Sequence, residues 1–387
     1  MVTSGVRRLS SRLPASFASF GPYVGLALAL VVAVMIFRPQ AVWHRLSVDA
    51  SMYDLNTFLR AADDVISGRS PYYSQGDQTY AYPPLLAILL IPLTPLEGTA
   101  AQVVWAIASV AVIMVALRLL GVRDWRCYGL AFLFPVTRYA IGSGSINAVL
   151  LLGIAVVWRF RDRVLVASGV AGFVVALKLF LWPIPVWFAL TRRWRAAAAT
   201  VGFALAFVLL PWAGVGFSGL TEYPGLLRRL VEDVADSSYS VFAVGARLGG
   251  DDLAGTAFSL AVAALLLGLA FRVASGDSRA PRERDAASLS LVLAAALAAS
   301  PIVWLHYYLL LLVPLALARP RLSALWFVPF AFYPLGRGTS WANGNLLRLA
   351  VAFAASTTVF AVAALQGRRA PSEASSSTRS VGVERVR

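Results

Sequence analysis

Residues 164–191 read VLVASGVAGFVVALKLFLWPIPVWFALT and lie between two arginine clusters. The run has 28 residues, which is longer than the roughly 20 that one membrane-spanning helix needs. It also contains Pro183 and Pro185, and proline breaks or kinks a helix. The stretch therefore predicts a helical hairpin that crosses a membrane and returns, leaving both arginine clusters on the same side.

The same pattern recurs along the chain. The stretches 127–158, 286–318 and 322–366 are also bounded by arginines, and each is long enough for a hairpin. Of the 387 residues, 59% are hydrophobic and 14% are charged, whereas a soluble domain has about 25% charged residues. The composition excludes soluble, disordered and disulfide-rich classes, and the long apolar runs indicate helices rather than a β-barrel.

Arginine clusters set the predicted topology, because Lys and Arg are retained in cytoplasmic loops. The net charge of +15 then comes mostly from arginines retained in the cytoplasmic loops. The lipid bilayer is therefore the expected partner, and nucleic acid is not. We predict an all-α polytopic membrane protein with both termini cytoplasmic, a single transmembrane domain over 1–366 with outer loops 39–97 and 213–251, and a disordered tail over 367–387. The approximate spans are 20–38, 98–118, 127–141, 145–158, 164–177, 178–191, 196–212, 253–271, 286–300, 304–318, 322–335 and 347–366.

Residues 83–96 (PPLLAILLIPLTPL) are apolar but short and interrupted by prolines. A full span at this point would move every later arginine cluster to the outside. We therefore predict a re-entrant or interfacial element at this position.

The first outer loop is rich in acidic and aromatic residues. The helical spacing of Asp49, Tyr53, Leu55, Phe58 and Leu59 predicts an amphipathic helix lying on the membrane surface. In the same loop, Asp63 and Asp64 are expected on a solvated helix face.

Two carboxylates of this loop are candidates for chemistry. Asp49 either caps the N-terminus of the amphipathic helix or acts as a general base at the membrane face. Asp54 is the competing carboxylate for the second role. A base held there would remove a proton from an acceptor hydroxyl.

Lys178 is the only lysine in the chain. An ionisable group within an apolar span is costly and suggests a functional site. The ammonium group either extends to the outer interface, as long cationic side chains do, or is a compact cation for a lipid-linked phosphate.

Other polar residues fall near the same predicted outer side. His306 is either a structural histidine or part of the cavity that holds Asp49 and Lys178. Arg138 and Arg247 would each pair with a phosphate or with an acidic side chain. Asn147 either caps the following span or faces a sugar.

This pattern favours group transfer from a lipid-phosphate donor. Such a donor is already activated, so the enzyme needs a base for the acceptor and cations for the departing phosphate. The sequence contains no Walker loop, no GxGxxG in its fold context and no GxSxG elbow, which argues against direct use of a nucleotide on the inner side. It contains no HExxH motif or Cys cluster that would indicate a metal site. No cofactor is expected, and the separate carboxylates favour a metal-independent reaction.

Several motifs follow one another in order between residues 48 and 306. They are Val48-Asp49 with Tyr53, Gly68, Pro71-Tyr72, Tyr82-Pro83-Pro84, Gly144-Ser145-Ile146-Asn147, Ala176-Leu177-Lys178, Arg247 after a Ser-rich loop, and Ser300-Pro301 with Trp304-Leu305-His306. In this order they resemble glycosyltransferase family 87, which includes polyprenol-phosphate-mannose-dependent α-mannosyltransferases and arabinofuranosyltransferases.

The resemblance implies a GT-C membrane glycosyltransferase fold with about twelve transmembrane helices and extracytoplasmic loop helices. It implies inverting transfer of a sugar from a polyprenyl-phosphate donor to a glycolipid or envelope glycan on the extracytoplasmic side. Mannose is the favoured sugar, and arabinose is the alternative. Asp49 is similar to the family's catalytic base, and His306 and Lys178 would line the donor phosphate site. The further residues expected to bind substrate are Arg247, Arg138, Tyr53, Asn147 and Tyr82.

The sequence departs from the family pattern at two places. Ser145 stands where the family usually has Gln, and Ser237 and Ser238 stand where an Asn is common. The acceptor and the sugar are therefore left open. Two further classes stay open as alternatives, a transporter or lipid flippase and a non-catalytic partner in envelope polysaccharide synthesis.

Overall fold

The computed structural model of the protein describes residues 52–74, 78–96, 98–234, 238–276, 279–336 and 346–366. Asp49, the first predicted span and the predicted tail lie outside these residues. Every regular element of the described part is a helix, which confirms the all-α class.

The α-helices are numbered in chain order. Up to residue 214 they are α1 Tyr53–Ile66, α2 Pro84–Leu90, α3 Gly98–Leu119, α4 Trp125–Leu133, α5 Pro135–Gly142, α6 Asn147–Arg159, α7 Val164–Leu177, α8 Ile184–Leu190 and α9 Trp194–Gly214. Those that follow are α10 Tyr223–Val234, α11 Val241–Gly249, α12 Asp252–Ser275, α13 Pro281–Ala299, α14 Leu312–Ala318 and α15 Leu346–Leu365. The 3-10 helices are Ile91–Leu93, Leu179–Leu181, Leu305–Leu311 and Ala324–Gly336.

Proline and extended residues divide the apolar runs into shorter helices. The run 164–191 becomes α7 and α8, separated by the extended backbone of Lys178, a 3-10 turn and Pro183. In the run 127–158, the single span predicted over 127–141 is wrong, because Pro135 divides it into α4 and α5. α5 and α6 meet at an angle of 118°. Each long run is thus more than one helix.

Four helices are long and apolar enough to cross a membrane, namely α3, α9, α12 and α15, and the bent pair α5 and α6 would make a fifth span. α9 and α12 leave much of their apolar surface uncovered, with Leu210 70% and Leu265 64% exposed. These lengths and exposed faces are those of a multi-pass membrane protein. Among the other predicted spans, prolines interrupt 127–141, 178–191, 304–318 and 322–335, and the count of twelve stays a prediction.

The apolar segment 83–96 forms α2 and the 3-10 helix Ile91–Leu93, of 7 and 3 residues. This is about half the length of a membrane span. The segment packs against α1 and α9. Its length fits the predicted re-entrant or interfacial element.

α1 is amphipathic, as its spacing predicts, but its apolar face packs on the protein. Leu55 and Phe58 are 0% and 1% exposed, and the helix lies against α2. The apolar face is therefore covered by the fold rather than by lipid.

The prediction that both acidic residues of α1 face solvent is right for Asp63 and wrong for Asp64. Asp63 is exposed, but Asp64 is buried. The Asp64 carboxylate pairs with Arg69 at 2.8 Å and accepts hydrogen bonds from the backbone N–H and hydroxyl of Ser74. The loop after α1 folds back over the helix, so this carboxylate holds the loop instead of facing water.

Three arginine-bearing connections meet at one end of the molecule. Asp285, near the start of α13, accepts from Arg161 at 2.9 Å and from Arg193 at 2.8 Å. Arg161 precedes α7 and Arg193 precedes α9, and Trp187 of α8 donates to the backbone carbonyl of Asp285 at 3.2 Å. This arginine end of the fold fits the predicted placement of the clusters on one side.

α7 is a central packing element, since it contacts both α6 and α9. A Cβ at Gly172 would lie 2.5 Å from the Cβ of Phe203, so only glycine allows α9 to approach this closely. α7 begins at Val164 beside the arginine end and ends at Leu177. Its 14 residues separate Lys178 from the arginine end by about 21 Å.

Candidate functional site

Lys178 lies in the interior beyond the end of α7, with an extended backbone (φ −148°, ψ 100°). It is 6% exposed. Its ammonium nitrogen lies 3.6 Å from the centre of the Tyr307 ring, 5.5 Å from that of Tyr82 and 6.0 Å from that of Phe180. Such contacts stabilise a desolvated cation. The burial shows that the alternative of extending to an outer interface is wrong.

Asn147 is the polar partner of this ammonium group. Nζ of Lys178 donates to Oδ1 of Asn147 at 3.5 Å, and Nδ2 of Asn147 donates to the Ser145 hydroxyl at 3.3 Å. Asn147 is fully buried and is the first residue of α6, with Ile146 at the N-cap position. The expected helix cap is therefore not formed by Asn147, and its amide holds Lys178 instead.

The turn between α5 and α6 holds the start of α1. Gly144 has φ +72°, and a Cβ at this position would lie 2.6 Å from the Cβ of Leu55. The backbone N–H of Met52 donates to the Gly142 carbonyl at 3.1 Å, and that of Asp54 donates to the Ser143 carbonyl at 2.9 Å. These contacts bring the first turn of α1 directly onto the site.

The N-terminus of α1 is unusual in one further respect. Met52 occupies its N-cap position with φ 44°, a left-handed conformation that costs a residue with a side chain about 1–2 kcal/mol. The N-cap is therefore Met52 and not Asp49. Asp49 precedes it by three residues and lies outside the described part, so its role as base stays a prediction.

Asp54, the alternative base, lies in the same buried region as Lys178, and the charges of the two groups interact. Its side chain is 14% exposed, and its Oδ2 is 3.9 Å from Nε2 of His306. Burial raises the pKa of the Asp54 carboxyl well above its usual range, while the charge of Lys178 and a hydrogen bond with Ser143 act in the opposite direction. A carboxylate with a raised pKa is a better proton acceptor near neutral pH than an ordinary aspartate.

His306 lies in the 3-10 helix Leu305–Leu311 and is 3% exposed. Its ring stacks on that of Tyr139, with centroids 5.8 Å apart and an interplanar angle of 13°. The Tyr139 hydroxyl is hydrogen-bonded to the Tyr53 hydroxyl. Tyr53 thus reaches the site through Tyr139 and His306.

Tyr82 reaches the site from the loop before α2. Its backbone carbonyl accepts from the Tyr72 hydroxyl at 2.9 Å, and its ring packs edge-on against Phe58 at 5.1 Å. These two contacts fix the ring beside the ammonium group of Lys178. We call the group of Asp54, Tyr82, Asn147, Lys178, His306 and Tyr307 the Lys178 cluster.

The two predicted arginines lie on other elements. Arg138 of α5 donates to the Tyr333 hydroxyl at 3.4 Å, on the 3-10 helix Ala324–Gly336. Arg247 lies in the last turn of α11 and is half-buried. Their roles in binding phosphate stay predictions.

Sequence reasoning missed Tyr307, Tyr139 and Ser143. Tyr307 follows His306 directly in the segment SPIVWLHYY, and this adjacency was a usable signal. The positions of Tyr139 and Ser143 depend on how α1 and the 3-10 helix Leu305–Leu311 pack on α5. The sequence carries no local sign of that packing.

Comparisons with known proteins support the family resemblance of the sequence. The chain is 26% identical over 219 residues to the polyprenol-phosphate-mannose-dependent α-(1-2)-phosphatidylinositol pentamannoside mannosyltransferase of Mycolicibacterium smegmatis. The match covers 52% of this chain and 53% of that protein, so it spans about half the length of the relative. No solved structure matches the chain significantly. The family model of glycosyltransferase family 87 matches residues 80–301, more than half of the chain, and the protein therefore belongs to glycosyltransferase family 87.

Proposed function

We propose that the protein transfers mannose from a polyprenyl-phosphate donor to a hydroxyl group of a glycolipid or envelope glycan. The observation that carries this proposal is the Lys178 cluster, in which a buried ammonium group, an imidazole and a carboxylate share one region of the fold. Fixed cations in a region of low dielectric stabilise the charge that develops on a departing phosphate. The name of the mycobacterial relative supports the choice of donor.

The reaction takes place on the extracytoplasmic side in this proposal. The arginine end, where Arg161 and Arg193 share Asp285, has the composition of a cytoplasmic face. The Lys178 cluster lies at the other end of α7. The proposal also includes a GT-C fold with twelve spans, both termini cytoplasmic and a single transmembrane domain over residues 1–366.

Lys178 and His306 hold the donor phosphate in this proposal, with Arg247 and Arg138 as further cationic contacts. Asn147 and the aromatic rings of the cluster fix the ammonium group, so little reorganisation accompanies charge development. Tyr53 acts through Tyr139, which orients the imidazole.

The chemical step is a single displacement with inversion. The acceptor oxygen attacks the anomeric carbon while Asp49 takes the acceptor's proton. The bond between the anomeric carbon and the phosphate oxygen breaks, and its electron pair leaves with the polyprenyl phosphate. Asp54 is the alternative base, because it is buried in the same region as Lys178 and its pKa is raised.

The test uses membranes that contain the full chain and a radiolabelled polyprenyl-phosphate mannose. Loss of a general base costs about 10²–10⁴ in rate, and Asp49→Asn is expected to show this loss while Asp63→Asn, an exposed change on α1, retains activity. If Asp54→Asn alone abolishes turnover, the base is Asp54. Retention of full activity by both single variants would contradict a carboxylate base in this loop.

The same assay separates the alternatives. A polyprenyl-phosphate arabinose donor tests the second sugar of the family. Movement of the lipid across a vesicle bilayer without sugar transfer would support a flippase and contradict the proposed function. Glycolipid analysis of a deletion strain identifies the acceptor, because the unmodified acceptor accumulates.

A further inference from the structure

His306 is held in place by its backbone and by ring contacts rather than by hydrogen bonds of its imidazole. Its Nδ1 is buried and has no hydrogen-bond partner among the described residues. Its Nε2 lies 3.9 Å from Oδ2 of Asp54, which is longer than a hydrogen bond. The ring stacks on Tyr139 at 5.8 Å and contacts Tyr307 at 5.1 Å. The path of the backbone around His306 therefore helps to decide where the imidazole lies.

The backbone that leads to His306 is extended. Residues 300–304 connect α13 to the 3-10 helix Leu305–Leu311, and both Ser300 and Trp304 have extended backbone conformations. An extended segment makes few hydrogen bonds within itself, so its buried N–H and carbonyl groups need partners elsewhere in the fold.

The loop before α11 supplies those partners. The Ser238 hydroxyl oxygen accepts from the backbone N–H of Val303 at 2.9 Å, and the Val303 carbonyl accepts from the backbone N–H of Tyr239 at 2.8 Å. The Tyr308 hydroxyl donates to the Tyr239 carbonyl at 3.2 Å. Val303 and Tyr308 lie on either side of His306 in the chain, so residues 238 and 239 hold both ends of the segment that carries it.

Ser238 is buried between the two segments. It is 3% exposed, and its hydroxyl oxygen also accepts from the backbone N–H of Ser240 at 3.2 Å. One side-chain oxygen thus accepts from one N–H group of each segment. Val303 is 1% exposed, so without this oxygen its N–H would be buried with no acceptor, which is costly. The Ser238 hydroxyl therefore joins the loop to the segment that leads to His306.

We propose that Ser238 is a positioning residue for His306. Its hydroxyl oxygen fixes the backbone at Val303, three residues before His306, and so sets the place of the imidazole. This inference rests on the proposed function, in which His306 holds the donor phosphate. A preorganised group stabilises developing charge only where that charge arises, and a displacement of about 1 Å can cost about a hundredfold in rate. Ser238 acts through the backbone and does not touch the substrate.

The first test measures sugar transfer by the full chain in membranes. Ser238→Ala removes the acceptor of the Val303 N–H and is expected to lower kcat/KM by about ten- to a hundredfold. Ser240→Ala is the matched control, because Ser240 is also buried and its hydroxyl oxygen accepts from the N–H of Ala243 at the start of α11. This control is expected to lower the unfolding midpoint and to keep kcat/KM close to that of the wild type.

A double-mutant cycle shows whether the loss passes through His306. Ser238→Ala is expected to lower kcat/KM by a smaller factor in a His306→Gln background than in the wild type, because the imidazole that it positions is already absent. A change that only weakens the fold would lower kcat/KM by the same factor in both backgrounds.

A spectroscopic measurement tests the position of His306 without any sugar transfer. The chain has two histidines, His44 and His306, so in a His44→Gln background the imidazole NMR signals of isotope-labelled histidine belong to His306. Ser238→Ala is expected to shift these signals, and Ser240→Ala is expected to leave them where they are.

Three results would overturn the assignment. They are a Ser238→Ala variant with unchanged His306 signals, a Ser238→Ala loss in kcat/KM that is equal in the two backgrounds, and a Ser240→Ala variant that shifts the His306 signals as far as Ser238→Ala does. If the wild-type protein transfers mannose and Ser238→Ala transfers it equally well, this inference fails alone. If the wild-type protein transfers no sugar, the proposed function fails, and the NMR signals still decide whether Ser238 positions His306.

Discussion

The ammonium nitrogen of Lys178 lies 3.6 Å from the centre of the Tyr307 ring. The face of an aromatic ring carries partial negative charge and therefore attracts a cation, but unlike a carboxylate the ring has no net charge. Tyr307 therefore positions the ammonium group while leaving its hydrogens available to a substrate.

Replacement of Tyr307 tests this positioning. Tyr307→Phe keeps the ring face and is expected to retain most of the activity. Tyr307→Leu removes it, and a desolvated cation–π contact is worth about 2 kcal/mol, so the donor KM is expected to rise about thirtyfold. Steady-state kinetics with varied donor measure both variants. Equal loss in the two variants would assign the effect to the hydroxyl rather than the ring.

Gly144→Ala is expected to displace α1 from the turn that holds it. The added Cβ would lie 2.6 Å from that of Leu55, and the residue also has φ +72°. Gly121→Ala is the matched control, because Gly121 has φ +98° with nothing within 4 Å of an added Cβ. Both changes cost about 1–2 kcal/mol of backbone strain, and only Gly144→Ala is expected to abolish turnover. Activity and thermal unfolding in detergent measure the difference.

Asp285→Asn is expected to destabilise the arginine end without touching the Lys178 cluster. Its carboxylate is 11% exposed and pairs with both Arg161 and Arg193, and loss of one partner of a buried pair costs about 3–5 kcal/mol. The partial exposure of both arginines places the expected loss at the lower end of that range. Asp162→Asn removes a 72% exposed partner of Arg193 and is expected to change the unfolding midpoint little. Comparable losses in both variants would contradict the shared role of Asp285.

A double-mutant cycle tests the link between Tyr53 and Tyr139. Their hydroxyls are hydrogen-bonded to each other, and Tyr139 stacks on His306. Tyr53→Phe and Tyr139→Phe are each expected to lower kcat/KM by a factor equivalent to about 1 kcal/mol. The double variant is expected to be no worse than either single variant, since both remove the same bond. Additive losses would show that the two hydroxyls act independently.

For some spans the apolar runs predicted where the helix begins and ends, but the predicted span 127–141 is two helices, α4 and α5. The predicted span 164–177 is α7, and the predicted span 98–118 is α3 with one further residue. This works because proline and charged residues interrupt a helix locally, and both are visible in the chain of amino acids. The number of full-length spans was not predictable in the same way, because it depends on how the shorter helices stack across the membrane.

Asp64 shows why local pattern was not enough for the acidic residues. Asp63 and Asp64 are neighbours in the sequence, and nothing local separates a solvated carboxylate from one that holds a loop. Asp64 accepts from Arg69 and Ser74, and those contacts exist only after the chain folds back. The same holds for Asp54, whose burial comes from packing against the turn that follows α5.

The sequence by itself determined a helical membrane protein, the clustering of its arginines, its family resemblance and the candidacy of Lys178 and His306. Hydropathy, charge and motif order are properties of the chain and need no folding to be read. Only the tertiary structure decided that Lys178 is buried with Asn147 and Tyr307, and that Asp54 is the carboxylate of the same buried region among the described residues. The physical reason is that a charge acquires its partners, its dielectric surroundings and its proton affinity from segments far apart in sequence, and packing alone brings those segments together.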